Sequence, residues 1–229
     1  MNKISDFLQK NNIKFKNLKI YEEAFSHMSY INEIKKPEKK SYERLEFLGD
    51  SILSQIVAIY VFNNFSDLDQ GELTLLRSYV VKKEFLSKVG KEINLQDYIN
   101  IGNGERNNII TDSVIEDVFE SLIAAIYLDS GYEETYKFLN KNILVKIKNI
   151  DIDDLKDYKT KLQEFLQNES EKSIEYNIVS KKKLTSNNEL EFFVEVSSNG
   201  IVFGRGKGKS KKEAAQNAAK DAYQKRVKK

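Results

Sequence analysis

Residues Tyr42 to Leu53, YERLEFLGDSIL, carry three acids, Glu43, Glu46 and Asp50, through an otherwise apolar run. At 3.6 residues per turn Glu46 and Asp50 stand one turn apart on one face, with Glu43 three residues earlier on that face. Leu45, Leu48, Ile52 and Ile56 form a neighbouring stripe that predicts docking into a core. Gly49 disfavours such a helix by about 1 kcal/mol relative to alanine, so its presence predicts a close approach to the backbone there. A helix with acids beside its core stripe restricts the fold to one in which something answers those charges.

The matching element lies downstream. Ser113 to Asp129, SVIEDVFESLIAAIYLD, places Asp117 and Glu120 at i, i+3 in a second apolar run, followed by the small residues Ala124 and Ala125. If the two helices cross near Gly49, then Glu46, Asp50, Asp117 and Glu120 converge. Two carboxylates ~4 Å apart repel by roughly 4 kcal/mol at an effective dielectric of 20. Four together imply a bound cation or raised pKa values, and a hard divalent ion such as magnesium or manganese suits an all-oxygen donor set. In a chain that is 31% charged, either pair alone reads as a solvated helix face; two pairs, each inside sequence that would otherwise be core, do not.

ERLEFLGDS at Glu43 to Ser51 resembles the signature of ribonuclease III, and EDVFESLIAAIYLDSG at Glu116 to Gly131 resembles that family's second acidic helix. The chain departs from the family at two positions. Gln70 stands where a glutamate near the catalytic valley is common, and Glu116 where a small residue is usual.

A chain of 229 residues holds one large or two modest domains. Without cysteine it has no disulfide, thiolate metal site or cysteine nucleophile. The N-terminus, MNKISDFLQK, has no apolar signal region, and no apolar run approaches the ~20 residues of a membrane span, so a soluble, cytoplasmic protein without membrane contact is predicted. The net charge of +2 conceals an asymmetry. Residues 1–154 carry 20 Lys and Arg against 25 Asp and Glu, net −5; residues 155–229 carry 17 against 10, net +7. The basic end is the expected polyanion binder, while the acidic part needs cations before it tolerates phosphate.

Short helices are predicted at Ile4 to Gln9 and Leu18 to Ser26, a surface loop at Asn32 to Ser41, and amphipathic helices after Asp69, at Lys83 to Glu92 and at Tyr132 to Lys148. The single histidine, His27, sits in AFSHMSY and reads as a hydrogen-bonded packing residue. Tyr98 to Asn108 is a loop, whose Arg106 the resemblance pairs with an interface acid such as Glu43. Residues 1–150 then form a helical domain, 151–157 (DIDDLKD, polar and without apolar period) a linker, and 158–229 a second domain. There the period changes: a helix at Tyr158 to Asn168, a strand at Ser173 to Ser180, a polar loop at Lys181 to Asn188, a strand in which Phe192, Val194 and Val196 alternate with polar-side residues, a turn at Asn199 and Gly200, a strand at Ile201 to Gly206, and a helix at Ser210 to Arg226. The fold class is therefore an all-α domain followed by a small α+β domain, α-β-β-β-α, with a three-stranded antiparallel sheet.

Ser210 and Glu213 are spaced as a capping box, and Ala214, Ala215, Ala218, Ala219 and Ala222 form the last helix's packing face. Lys209, Lys211 and Lys212 crowd its N-terminal turn, where each cation opposes the helix dipole by about 0.3 to 1 kcal/mol. With the helix amides and the preceding GRGKGK loop they read as a phosphate site. KTKLQEFLQ and GKSKKEAAQNAAK resemble the two ends of a double-stranded RNA-binding domain. The resemblance implies that Thr160, Gln163 and Glu164 meet one minor groove, the loop from Lys182 to Asn188 a second, and the lysines the phosphates between, over ~16 base pairs of A-form duplex.

Metal-free RNA cleavage ordinarily takes two groups that exchange protons near neutral pH, commonly histidines. One histidine and no cysteine favour metal-assisted hydrolysis instead. Likeness to ribonuclease III implies an endonuclease with Glu46, Asp50, Asp117 and Glu120 as ligands to magnesium, Asp50 and Glu120 being catalytic, and no organic cofactor. It further implies 5′-phosphate and 3′-hydroxyl products with two-nucleotide 3′ overhangs, ribosomal precursors among the substrates, and a homodimer with Glu43 and Phe47 at the interface. As competing readings stand a catalytically silent double-stranded RNA-binding protein and a helical metal-dependent phosphohydrolase acting on small phosphate esters.

Overall fold

The computed structural model describes residues 2–36, 38–103, 110–168, 173–183 and 190–227. It divides into two compact units, Met1–Ile150 and Asp151–Lys229.

The first unit is helical. In chain order it contains α1 (Lys3–Lys10), α2 (Leu18–Ala24), α3 (Met28–Ile34), α4 (Glu43–Asn64), α5 (Gln70–Val80), α6 (Lys83–Glu92), a 3-10 turn at Leu95–Tyr98, α7 (Asp112–Leu139), a π-turn at Asn140–Leu144 and α8 (Val145–Ile147). α4 and α7 form its centre. α4 buries Leu45, Ile52, Leu53, Ile56, Val57 and Val61, and α7 buries Val118, Phe119, Leu122, Ile123 and Ile126. The two cross at Gly49, where an added β-carbon would overlap the backbone carbonyl of Glu120. The close approach predicted at this glycine is therefore made by the second acidic helix.

α7 joins what the sequence suggests as two helices. Its break is Gly131, at φ 80°, outside the helical region and accessible mainly to glycine. Just before it, Asp129 accepts the backbone N–H groups of Lys16 and Asn17 at 2.8 and 2.9 Å and the Tyr21 hydroxyl at 3.2 Å, tying the helix to the N-terminal segment. α5 begins with a complete capping box in which Asp69 and Glu72 each accept the other's backbone N–H, leaving Gln70 exposed at the first helical position.

Two expectations change. α3 takes Asn32 to Ile34 from the loop predicted at Asn32 to Ser41; it is a short helix with no buried residue, and it starts where the His27 side chain accepts the Ser29 N–H. α4 is, among the described residues, one helix long and apolar enough to cross a bilayer by length and composition. Its acids, at three- and four-residue intervals, conceal this in the sequence, and its apolar face is occupied by α7. Arg106 and Gly104 lie outside the described residues.

The second unit opens with a one-turn helix, α9 (Ile152–Leu155), inside the stretch expected as linker, where the Asp151 side chain accepts the Asp153 N–H. Then follow α10 (Tyr158–Asn168), β1 (Glu175–Lys183), β2 (Leu190–Ser198), β3 (Ile201–Gly208) and α11 (Lys211–Val227). The sheet is antiparallel in the order β1-β2-β3, with both helices on one face over Phe192, Val194 and Val196. Asn199 and Gly200 turn β2 into β3 with φ of 50° and 75°, the twist a tight hairpin requires. β1 extends through Lys183, beyond the predicted end, because the lysines of the expected loop pair with Phe192, Glu191 and Leu190 across the ladder. GRGKGK is likewise strand and not loop: methyl groups at Gly204, Gly206 and Gly208 would collide with the backbone of α11, whose alanines complete a close sheet-to-helix contact.

The α4–α7 crossing makes a testable statement. By helix propensity alone Gly49→Ala should stabilise by about 1 kcal/mol. Because its methyl meets backbone rather than a flexible side chain, the substitution is expected to destabilise by about 3 kcal/mol in urea unfolding.

Candidate active site

The acid face of α4 meets that of α7 at the crossing. Glu120 is buried, at 8% exposure, Glu46 and Asp117 are half-buried, and Asp50 is exposed. Burial raises the Glu120 carboxyl pKa to about 8, reinforced by the charges of Asp50, Glu116, Glu46 and Asp117. Glu46 is pushed to about 7, again mainly by burial and then by Asp117, Glu43, Glu116 and Asp50. Acids some seventy positions apart in the chain thus act on one another directly.

Asp117 is also raised by burial, but three neighbours work in the opposite direction: the Tyr42 hydroxyl, which donates to Oδ2 at 3.0 Å, and the fields of His27 and Lys83. The Tyr42 phenol itself is driven far upward by burial and by Asp117, and stays protonated. His27 is a packing and capping residue, as predicted: Nδ1 accepts the Ser29 N–H at 3.2 Å and lies 2.8 Å from the Ser29 hydroxyl.

Glu116 joins the cluster as a fifth carboxylate. It stands one turn before Glu120, half-buried, with its pKa raised by burial and Asp117 and opposed by Lys83 at the head of α6. Three residues beyond the four expected acids bear on the cluster, Glu116, Tyr42 and Lys83. For Glu116 the signal was its i, i+4 spacing from Glu120; for Tyr42 it was the same spacing from Glu46, placing a hydroxyl in line with the acids. Lys83 carried no such signal, since its role comes from the packing of α6 on α7.

The donor set, carboxylate oxygens throughout, is what a hard divalent cation takes. The side chains face one another without closing on a point: among the described residues, no three Asp, Glu or His side chains are gathered tightly enough to hold an ion as they stand. Mutual repulsion of roughly 4 kcal/mol per pair at contact opposes such closure without a counter-charge.

Glu43 is exposed and accepts the Ser41 hydroxyl at 3.1 Å. Phe47 is 79% exposed, so it is not core; Phe62, near the far end of α4, is 72% exposed.

In the second unit Thr160, Gln163 and Glu164 are exposed on the first turns of α10. The Thr160 N–H is bound by Asp157 at 2.9 Å, which caps the helix. Glu164 accepts Lys156 Nζ at 3.0 Å, so this candidate RNA contact is engaged in an ion pair within its own unit. Lys209, Lys211 and Lys212 are exposed around the N-terminus of α11. Ser210 caps that helix through the Glu213 N–H at 3.1 Å, while the Glu213 carboxylate reaches the Lys209 N–H at 2.8 Å, one residue before the position a capping box uses. Of the expected second-groove loop from Lys182 to Asn188, residues 184–188 lie outside the described residues.

A helical unit with facing carboxylates, followed by a basic α-β-β-β-α unit, defines a nuclease joined to a duplex-binding module. Comparison with known proteins agrees in both parts. The Ribonuclease-III-like family model matches residues 17–147, and the double-stranded RNA binding motif matches residues 158–226. Ribonuclease 3 of Limosilactobacillus reuteri is 41% identical over 222 residues, covering 96% of this chain and 94% of the relative. Ribonuclease 3 of Mesoplasma florum is 39% identical over 223 residues, covering 96% of each. A crystal structure of the nuclease domain of ribonuclease III from Campylobacter jejuni superposes with a TM-score of 0.57 at 31% identity, covering 66% of this chain and 100% of that domain. The chain belongs to the ribonuclease III family. It is an endoribonuclease that acts on double-stranded RNA.

The raised carboxyls set a pH dependence. A glutamate whose folded-state pKa lies above its unfolded value stabilises the fold below the unfolded pKa and loses that contribution as pH rises through the folded one. In chelator, therefore, stability should fall between about pH 4.5 and 8 as Glu46 and Glu120 are forced to ionise. Thermal melts should find Glu120→Gln more stable than wild type at pH 8 and indistinguishable from it near pH 4.

Proposed function

We propose that this chain cuts both strands of an RNA duplex by divalent-metal-dependent hydrolysis, with magnesium, or manganese in its place, held by Glu46, Asp50, Asp117 and Glu120. The observation that supports this most is the convergence of those acids at the Gly49 crossing, where burial and mutual repulsion raise the carboxyl pKa values of Glu120 and Glu46. A structural helix pair gains nothing from such a cluster.

The residues divide the task. Glu46 and Asp50 present oxygens from α4, Asp117 and Glu120 from α7, and the glycine between sets their spacing. Glu120 keeps its proton at neutral pH until a positive charge replaces it, so ligand formation there releases a proton. When bound, the ion lowers the pKa of a water and steadies the departing 3′ oxygen. Asp50 and Glu120 are the catalytic acids on this reading. Its products carry 5′ phosphates, 3′ hydroxyls and two-nucleotide 3′ overhangs, and its substrates include ribosomal precursors in the cytoplasm.

Residues 1–150 cut and dimerise, 151–157 connect, and 158–229 hold the duplex through Thr160, Gln163, Glu164, Lys209, Lys211 and Lys212. The α11 lysines oppose the helix dipole and so are best explained by phosphate. The homodimer is supported by the solvent-facing Phe47 beside exposed Glu43, an apolar ring of the size that anchors an interface; a second Campylobacter jejuni nuclease-domain structure, 30% identical with a TM-score of 0.56, is described as flexible in a region involved in dimer formation.

Cleavage and binding of a plain RNA duplex, measured with magnesium and with chelator, test the division. Glu120→Gln should abolish cutting and retain binding. The triple change of Lys209, Lys211 and Lys212 to alanine should weaken binding and lower the salt slope by about 2 to 3. Wild-type protein that binds duplex but never cuts it would be the silent binding protein instead; a Glu120→Gln variant cutting at the wild-type rate would refute the ligand assignment.

A further inference from the structure

We propose that Tyr42 is a positioning residue of the active site, which holds the Asp117 carboxylate in the orientation needed for ion binding. The proposal rests on the reading of Asp117 as an ion ligand.

Tyr42 immediately precedes α4 and is 4% exposed, yet its side chain makes no capping bond to the helix that it begins. It is instead fixed at three points. Its backbone N–H donates to the Ser26 carbonyl at 3.0 Å. Its ring lies against the His27 imidazole, with centroids 5.7 Å apart. Its hydroxyl donates to Asp117 Oδ2 at 3.0 Å, seventy-five positions away. The first two anchors leave the ring little freedom, so the third fixes an acid of α7 relative to α4.

His27 is itself immobilised. Besides its bonds to Ser29, its backbone N–H donates to the Asn100 carbonyl at 2.9 Å, and the Ser29 hydroxyl accepts the Gly102 N–H at 3.0 Å. The phenol is thus the last member of a hydrogen-bonded and packed series running from the 99–103 segment to the acid cluster. A carboxylate bound at one oxygen by a rigid donor keeps its plane and presents the other oxygen, Oδ1, in a defined direction. Partners of this kind tune ligand affinity without touching the ion.

The hydroxyl is also the uncharged answer to a local conflict. A lysine in its place would neutralise Asp117 and compete with the ion, whereas a phenol orders the carboxylate and leaves its negative charge for the ligand.

The test removes only the hydroxyl. Manganese and magnesium are titrated calorimetrically into chelator-stripped wild type, Tyr42→Phe and Asp117→Asn, at a temperature where circular dichroism shows each folded; duplex cleavage is measured across magnesium concentrations. Tyr42→Phe should bind manganese about 10-fold more weakly, lose kcat at low magnesium, recover it at high magnesium, and keep the wild-type KM for duplex. Wild-type ion affinity in Tyr42→Phe with weakened affinity in Asp117→Asn would overturn the role of Tyr42 alone. Unchanged affinity in both variants would overturn the ligand reading beneath it. A kcat loss that added magnesium does not restore would also contradict the proposal.

Discussion

The nuclease unit depends on one contact, the passage of α7 over α4 at a residue without a side chain. With Gly49 against the Glu120 carbonyl, the helix axes approach closely enough for carboxylates on both to share a partly desolvated space. The apolar surfaces on either side of the crossing hold it there, Ile52, Leu53 and Ile56 from one helix and Phe119, Leu122 and Ile123 from the other. Hydrophobic burial thereby sustains an arrangement that electrostatics alone would push apart. The same crowding, with burial, raises the carboxyl pKa values of Glu120 and Glu46.

Around that contact the chain departs from its family in a way the structure partly explains. Glu116 adds a negative charge where the resemblance implies a small residue, and Lys83 at the head of α6 faces it and Asp117 with a positive one. Gln70, where the resemblance implies a glutamate, is exposed at the start of α5; nothing in the structure explains that substitution. The second unit solves a different problem, bringing a helix close to a sheet. Glycines on β3 and alanines on α11 meet backbone to backbone, which frees the helix's outer side and N-terminus for lysines.

Much of this was legible in the amino-acid order because it is periodic. Acids at i, i+4 and i, i+3 beside apolar stripes locate α4, α7 and their crossing; alternation at Phe192, Val194 and Val196 locates the sheet. What lacks a period was hidden. α3 owes its start to a single imidazole, the one-turn α9 to an aspartate, and the GRGKGK segment reads as loop until the alanines of α11 give its glycines a packing reason. The spacing of Tyr42 from Glu46 puts its hydroxyl on the acid face, but its partner, Asp117, lies seventy-five positions away and only the fold identifies it. Phe47 faces solvent, which helical spacing alone does not fix, because an apolar residue on an acid-bearing helix fits core or surface until the faces are assigned.

On the proposed function, a hard divalent charge draws the facing carboxylates of α4 and α7 together. Anomalous diffraction from crystals soaked in manganese addresses it directly. The account predicts a single strong region of anomalous density at the Gly49 crossing, with oxygens of Glu46, Asp50, Asp117 and Glu120 drawn in to about 2.2 Å. Density elsewhere on the chain, or carboxylates left apart at saturating manganese, would contradict it.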